Sequence, residues 1–294
     1  MASYQPGSHE LGVNSIRMHY LRDDAGPPLV LLHGWPEFSG VWLRAMARLR
    51  DRFDLIAPDL RGFGRSEKPD AGPSDEAGAE VHADDIRGLL DALGLDRVGL
   101  VGHDVGAYVM QAFARKYPQR LAGLFFFNCP TPGIGKRWSA AGHLRETWYQ
   151  YFHQQSFAAA LVGSSREACR VYFQHFLSHW AADPHAFDDD LEAWIDNFMQ
   201  PGNLQGGFNW YVSANAARLA VIRGEAPVLP RIETPTRVLW GAEDPILKAE
   251  WIDCLGETFT DVAADVVPDA GHFVHYEKPD LAAAEIAHFF ADRG

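Results

Sequence analysis

The chain has 294 residues, 47% of them hydrophobic, enough to bury a full core and too many for a disordered chain. A formal net charge of -13 argues against nucleic acid and anionic membrane surfaces as partners. It also disfavours a strongly anionic substrate, unless a local basic pocket overrides the overall field.

The start, Met1 to Glu10, is polar and carries no signal peptide, and no apolar run is long enough to span a bilayer. Cys129, Cys169 and Cys254 are scattered, lack metal-ligand spacing and cannot all pair, so they read as reduced packing residues of a cytoplasmic protein. Asn14 to Leu21 alternates imperfectly and predicts early strands. Pro28 to Leu32 is wholly apolar, as in a buried parallel strand, and ends in His33-Gly34-Trp35-Pro36-Glu37. Val41 to Leu49 has a helical pattern. Phe53 to Ala57 is the next strand, followed by a glycine-punctuated loop from Pro58 to Ser66. Asp70 to Gly78 reads as a loop and His82 to Leu93 as an amphipathic helix.

Val98 to Val101 is again strand-like and runs into Gly102-His103-Asp104-Val105-Gly106, after which a helical segment extends through Tyr117. A strand, a tight glycine-flanked turn and a helix form the context of a nucleophile elbow, here with aspartate at its centre. Leu121 to Phe127 is a further buried strand. From about Pro130 to Pro230 the pattern becomes helices and loops dense in aromatic residues, with no convincing parallel strand. Arg237 to Trp240 restores the sheet and ends in Gly241-Ala242-Glu243-Asp244; Asp265 to Val267 precedes Gly271-His272-Phe273, and Leu281 to Phe290 is a closing helix. Alternating strands and helices predict a mostly parallel, doubly wound α/β sheet. Residues 1–130 and 231–294 form its core, and 131–230 a helical cap inserted after the sixth strand. Ligands bind such sheets at the carboxyl ends of the strands.

Asp104, Asp244 and His272 each follow a strand, in the order nucleophile, acid, histidine. Each has a plainer explanation: a helix-start charge for Asp104, a turn before Pro245 for Asp244, a loop histidine for His272. Three such residues of the right types in the right order point jointly to a catalytic triad. The backbone N–H groups of Trp35 and Val105 are the candidate oxyanion hole; Pro36 has none to offer. His33, His103 and Ser66 read as structural.

With these residues in view, the chain resembles the bacterial soluble epoxide hydrolases of the α/β-hydrolase superfamily over nearly its whole length. The likeness is carried by His33-Gly34-Trp35-Pro36-Glu37, Gly102-His103-Asp104-Val105-Gly106, Gly241-Ala242-Glu243-Asp244 and Gly271-His272-Phe273. It is extended by Glu146-Thr147-Trp148-Tyr149 and Gly207-Phe208-Asn209-Trp210-Tyr211, which are similar to segments holding two ring-opening tyrosines. The resemblance implies that Tyr149 and Tyr211 activate an epoxide oxygen and that the substrate is a small, mostly apolar epoxide; among the residues themselves Tyr151 and Tyr172 are the nearest rivals to this pair, and Trp35 and Tyr151 are read as lining the pocket. It implies no cofactor or metal and leaves a homodimer open.

The chemistry agrees with aspartate as nucleophile. A carboxylate, with an ordinary pKa of about 3.9, is ionised without help and attacks an sp³ carbon, forming an alkyl ester. Histidine is then needed for the second step, hydrolysis of that ester, with Asp244 orienting it. A haloalkane or haloacid dehalogenase would use the same nucleophile but needs donors for the departing halide; Val105 supplies no side-chain donor, while the Trp35 indole could. A non-catalytic binding protein on the same scaffold is the third reading, and no triad member is missing to favour it.

Overall fold

The computed structural model describes residues 4–69, 74 and 77–293. Its strands are β1 (Gly7–Val13), β2 (Ile16–Asp24), β3 (Pro28–Leu32), β4 (Asp54–Pro58), β5 (Val98–His103), β6 (Leu121–Phe127), β7 (Thr236–Gly241) and β8 (Val262–Val267). They form one sheet in the order β1-β2-β4-β3-β5-β6-β7-β8. β2 runs antiparallel to both β1 and β4, and every other pairing is parallel. This is the expected doubly wound α/β architecture. β4, β5 and β6 are buried along their whole length, which is why they read as nearly unbroken apolar runs.

Three helices alternate with the first strands: α1 (Leu43–Leu49), α2 (Ala79–Leu93) and α3 (Val105–Lys116). Between β6 and β7 the described elements are all helical. A 3₁₀ stretch over Pro132–Ser139 leads to α4 (Tyr149–Phe152), α5 (Ala158–Val162), α6 (Arg166–Trp180), α7 (Leu191–Phe198) and α8 (Asn203–Arg223). The chain closes with α9 (Leu255–Thr258), α10 (Val274–Glu277) and α11 (Pro279–Phe289). α2 packs with α3, and α1 with α11.

The first half of α8 is its buried half, from Asn203 to Tyr211. It docks on the loop after β4 through a backbone contact that only glycine permits: a Cβ on Gly206 would stand 2.0 Å from the Gly62 carbonyl oxygen. One expectation from sequence needs adjustment. The polar start contains β1, whose side chains are mostly exposed, so it lacks the apolar signal of a core strand. The loop expected over Asp70 to Gly78 falls largely outside the described residues. No described helix is long and apolar enough to cross a membrane.

Candidate active site

The site lies at the carboxyl ends of five neighbouring strands, β3, β5, β6, β7 and β8, each followed at once or within a short loop by a polar residue that faces the others. Asp104 ends β5 in a strained conformation, φ 47° and ψ -109°, between an extended strand and helix α3. The turn is tight because α3 begins directly against β3: a Cβ on Gly106 would lie 2.4 Å from the Leu32 carbonyl oxygen. This is the strand–turn–helix elbow the sequence predicts.

The Trp35 backbone N–H donates to Asp104 Oδ1 at 2.9 Å. Opposite it, His272 Nε2 stands 3.8 Å from Asp104 Oδ2 and has no hydrogen-bond partner. The other imidazole nitrogen, Nδ1, is 2.7 Å from Asp244 Oδ2. Asp244 Oδ1 accepts the Ile246 and Leu247 N–H groups at 2.8 and 2.9 Å, so the residue is both a turn cap and the histidine's partner. Asp104, Asp244 and His272 are therefore brought together as expected. Burial disfavours a charged His272, but Asp244, Asp104 and Glu37 outweigh it and raise its pKa to about 9.

Two neighbours escaped the sequence reading. Asn128, at φ 48° just after β6, donates from Nδ2 to Asp244 Oδ2 at 2.5 Å and accepts the Gly241 N–H on Oδ1 at 2.9 Å. It ties β6, β7 and Asp244 together. Glu37 is fully buried, accepts the Gly34 N–H, and meets His103 Nδ1 at 3.0 Å and His275 Nε2 at 3.2 Å. Burial would raise its pKa; His103 and His275 prevail and hold it well below the usual carboxylate range. Ligand atoms of Glu37, His103 and His275 lie within 4.8 Å of one another, close enough for a metal. Gly34 and His103 already engage the carboxylate, however, and the His103 ring lies 4.4 Å from that of His272, so the trio reads as a buried polar support beneath Asp104, Asp244 and His272. His33 is structural: it accepts the Leu60 N–H on Nε2 at 3.0 Å, and Nδ1 meets the Gly34 carbonyl at 2.8 Å. Ser66 is likewise structural, donating to the Asp59 carbonyl at 2.6 Å.

Above the carboxylate lies an aromatic enclosure centred on Trp35, which is fully buried. Tyr149 of α4 stacks on the indole at 5.3 Å and 9°, and Tyr211 of α8 meets the same indole edge-on at 5.7 Å. The two phenol rings meet edge to face, with centroids 5.4 Å apart. Burial, then the Asp104 carboxylate, raises the Tyr149 pKa, and burial with Tyr149 and Asp104 pushes Tyr211 well above its ordinary value. Both phenols thus stay protonated at any working pH. His153, also unanticipated, stacks on Phe208 at 3.9 Å, lies 4.6 Å from the Tyr211 ring, and is held neutral by burial. Tyr151 is placed differently from Trp35: it is 43% exposed, with Arg218 over its ring at 4.9 Å. Val105 begins α3 directly after the elbow.

Residues 27–279 match the family model of the alpha/beta hydrolase fold. A soluble epoxide hydrolase from a Corynebacterium species is 30% identical over 298 residues, spanning 96% of each chain. Epoxide hydrolase 1 from Caenorhabditis elegans is 27% identical, over 96% of this chain and 70% of its own. Among solved structures, the ligand-free epoxide hydrolase CorEH superposes with a TM-score of 0.85 at 29% identity, covering 98% of this chain and 99% of its own. The protein is a hydrolase, and by fold, site geometry and likeness together the chain belongs to the α/β-hydrolase fold family, in its bacterial soluble epoxide hydrolase branch.

Proposed function

We propose that the protein hydrolyses small, mostly apolar epoxides to vicinal diols through an ester on Asp104. The observation that carries this reading is one carboxylate held by the Trp35 N–H on one oxygen, faced by an unpartnered His272 Nε2 on the other, and roofed by two protonated phenols. Asp104 attacks a ring carbon, the C–O bond breaks, and Tyr149 and Tyr211 hydrogen-bond or protonate the departing oxygen. His272 then takes a proton from water, and the hydroxide adds to the Asp104 carboxyl carbon. The tetrahedral oxyanion is stabilised by the N–H groups of Trp35 and Val105. Collapse breaks the ester, the leaving oxygen takes the proton from His272, and the new Asp104 carboxyl releases a proton that restores the phenol.

The raised pKa of His272 suits this order. In the resting enzyme three carboxylates favour imidazolium. Esterification removes the Asp104 charge and lowers the His272 pKa, so the imidazolium releases its proton more readily and the neutral ring is free to accept one from water. We assign residues 131–230 as a cap over a core of 1–130 and 231–294, since Tyr149 and Tyr211 reach Trp35 from that insertion. Three buried, unpaired cysteines support a cytoplasmic location.

A single turnover in ¹⁸O-water tests the mechanism. The first diol carries no label and Asp104 gains it; label in the first diol means direct attack by water. Dehalogenation is the second reading, favoured by the buried Trp35 indole N–H that has no acceptor. Halide release from a primary chloroalkane, measured beside diol formation, separates the two. The phenol pair predicts that Tyr149→Phe with Tyr211→Phe removes epoxide opening while sparing alkylation by a halide, which leaves without a proton.

A further inference from the structure

A basic group inside the insertion, Arg218, has buried donor atoms and no counter-charge among the described residues. Arg218 lies seven residues beyond Tyr211 on α8, two helical turns along, and so on the same face. Its Nε and Nη1 atoms are buried and have no hydrogen-bond acceptor, and among the described residues no carboxylate pairs with it. The guanidinium caps the Tyr151 ring at 4.9 Å, where that ring emerges to solvent.

Arg218 also shares its surroundings with the nucleophile. The phenols of Tyr108 and Tyr149 each feel both the Asp104 carboxylate and the Arg218 guanidinium, the first raising and the second lowering their pKa. The cation therefore lies within electrostatic reach of Tyr149, which stacks on Trp35, and it sits where Tyr151 opens to water.

A buried donor without an acceptor is costly, and a charged one more so, unless a ligand supplies the missing partner. A guanidinium is matched best by a planar anion that accepts two parallel hydrogen bonds. In a chain of net charge -13, a single unpaired arginine beside the site is also the local reversal of field that an anionic substrate requires.

We propose that Arg218 is the carboxylate-binding residue of this site, so that the preferred epoxides are epoxy acids with an apolar chain between ring and carboxylate. The inference rests on the proposed function for the ring-opening step, but the binding of the acid end stands apart from it. The spacing of Tyr211 and Arg218 along α8 sets the distance between epoxide and carboxylate at about 10 Å, seven residues at 1.5 Å each. The aromatic enclosure around Trp35 takes the epoxide end, Arg218 the acid end, and the exposed Tyr151 ring lies along the path between solvent and guanidinium.

The test begins with binding of molecules that carry no epoxide. Calorimetric titration with nonanoate and with methyl nonanoate should show tighter binding of the acid, by about tenfold or more for one charge-assisted contact. Arg218→Gln should abolish that preference, and Arg218→Lys should keep part of it. Equal affinity for acid and ester in the unaltered enzyme, or a preference that survives Arg218→Gln, overturns the proposal. Kinetics on the ω-epoxide of nonanoic acid and its methyl ester make the second arm. Arg218→Gln should raise KM for the acid at least tenfold and leave the ester within about twofold. Equal loss on both would assign Arg218 to tuning of the phenols and also overturn the proposal. Selective acid binding without diol formation from any epoxide would uphold Arg218 and reject the ring-opening reading.

Discussion

Asn128 shows how much of this site rests on residues that do no chemistry themselves. Its amide orients Asp244, and through it the imidazole. Hydrogen bonds to charged groups contribute about 1.5–3 kcal/mol, so Asn128→Ala should slow ester hydrolysis about 10- to 100-fold while alkylation stays near its original rate. Rapid-quench mass analysis would reveal this as accumulation of adduct on Asp104; parallel loss of both steps would mean that the amide does more than orient the acid. His272→Gln should carry the same split to its limit, with a stable adduct and no turnover. Asp104, Asp244 and His272 were legible in the sequence because each type is scarce at a strand end and their order is informative. Asn128 occupies the same kind of position after β6, but asparagine after a strand is most often a turn residue, and its bonds join segments more than 100 residues apart. Glu37 and His275 were silent for a similar reason: a buried polar contact has no periodicity to read.

The elbow is the element on which the geometry of Asp104, the proposed nucleophile, depends, and its glycines are the fragile point. Gly106→Ala would drive a Cβ into the Leu32 carbonyl of the adjacent strand, against backbone that has nowhere to move. The expected outcome is a marked fall in Tm together with loss of Asp104 alkylation. A variant with full stability and activity would show that α3 can stand off from β3. The parallel strands were readable because both faces are buried, and the two-faced apolar run is a strong local signal. β1 was not, since its side chains are exposed and its place is decided by pairing with β2. The helices of the insertion were recognisable as a class. Which of their many aromatic residues face Asp104 was not, because a packing aromatic and a functional one have the same local pattern; the choice of Tyr149 and Tyr211 came from resemblance alone. Tyr151, two residues from Tyr149 on the same short helix, lands at the surface.

At the scale of the whole molecule, buried histidines set the pH range of stability. Burial lowers the pKa of His33 and His153, that of His82 to about 3, and that of His275 to about 4. These groups are neutral when folded and take up protons when unfolded, so their contribution is complete above about pH 6.5 and is lost as pH falls toward their folded values. His272 acts in the opposite sense: its raised pKa gives a contribution complete below about pH 6.5 and lost as pH rises through 9. Stability should therefore peak near neutrality and decline on both sides. His272→Gln should flatten the alkaline limb and leave the acid limb in place, as measured by denaturant unfolding across pH. The order of the strands has another consequence. Asp104, the proposed nucleophile, lies on the portion of chain that precedes residue 224, whereas Asp244 and His272 lie after residue 231, and the stretch between is mostly exposed, with Val228 99% accessible. The halves are joined by the ladder from Leu124↔Thr236 to Phe127↔Leu239 and by the packing of α1 against α11. A single backbone cut near Val228 should thus yield two polypeptides that remain associated and active. Expressed separately, they would form a complementation pair in which turnover reports the meeting of the halves.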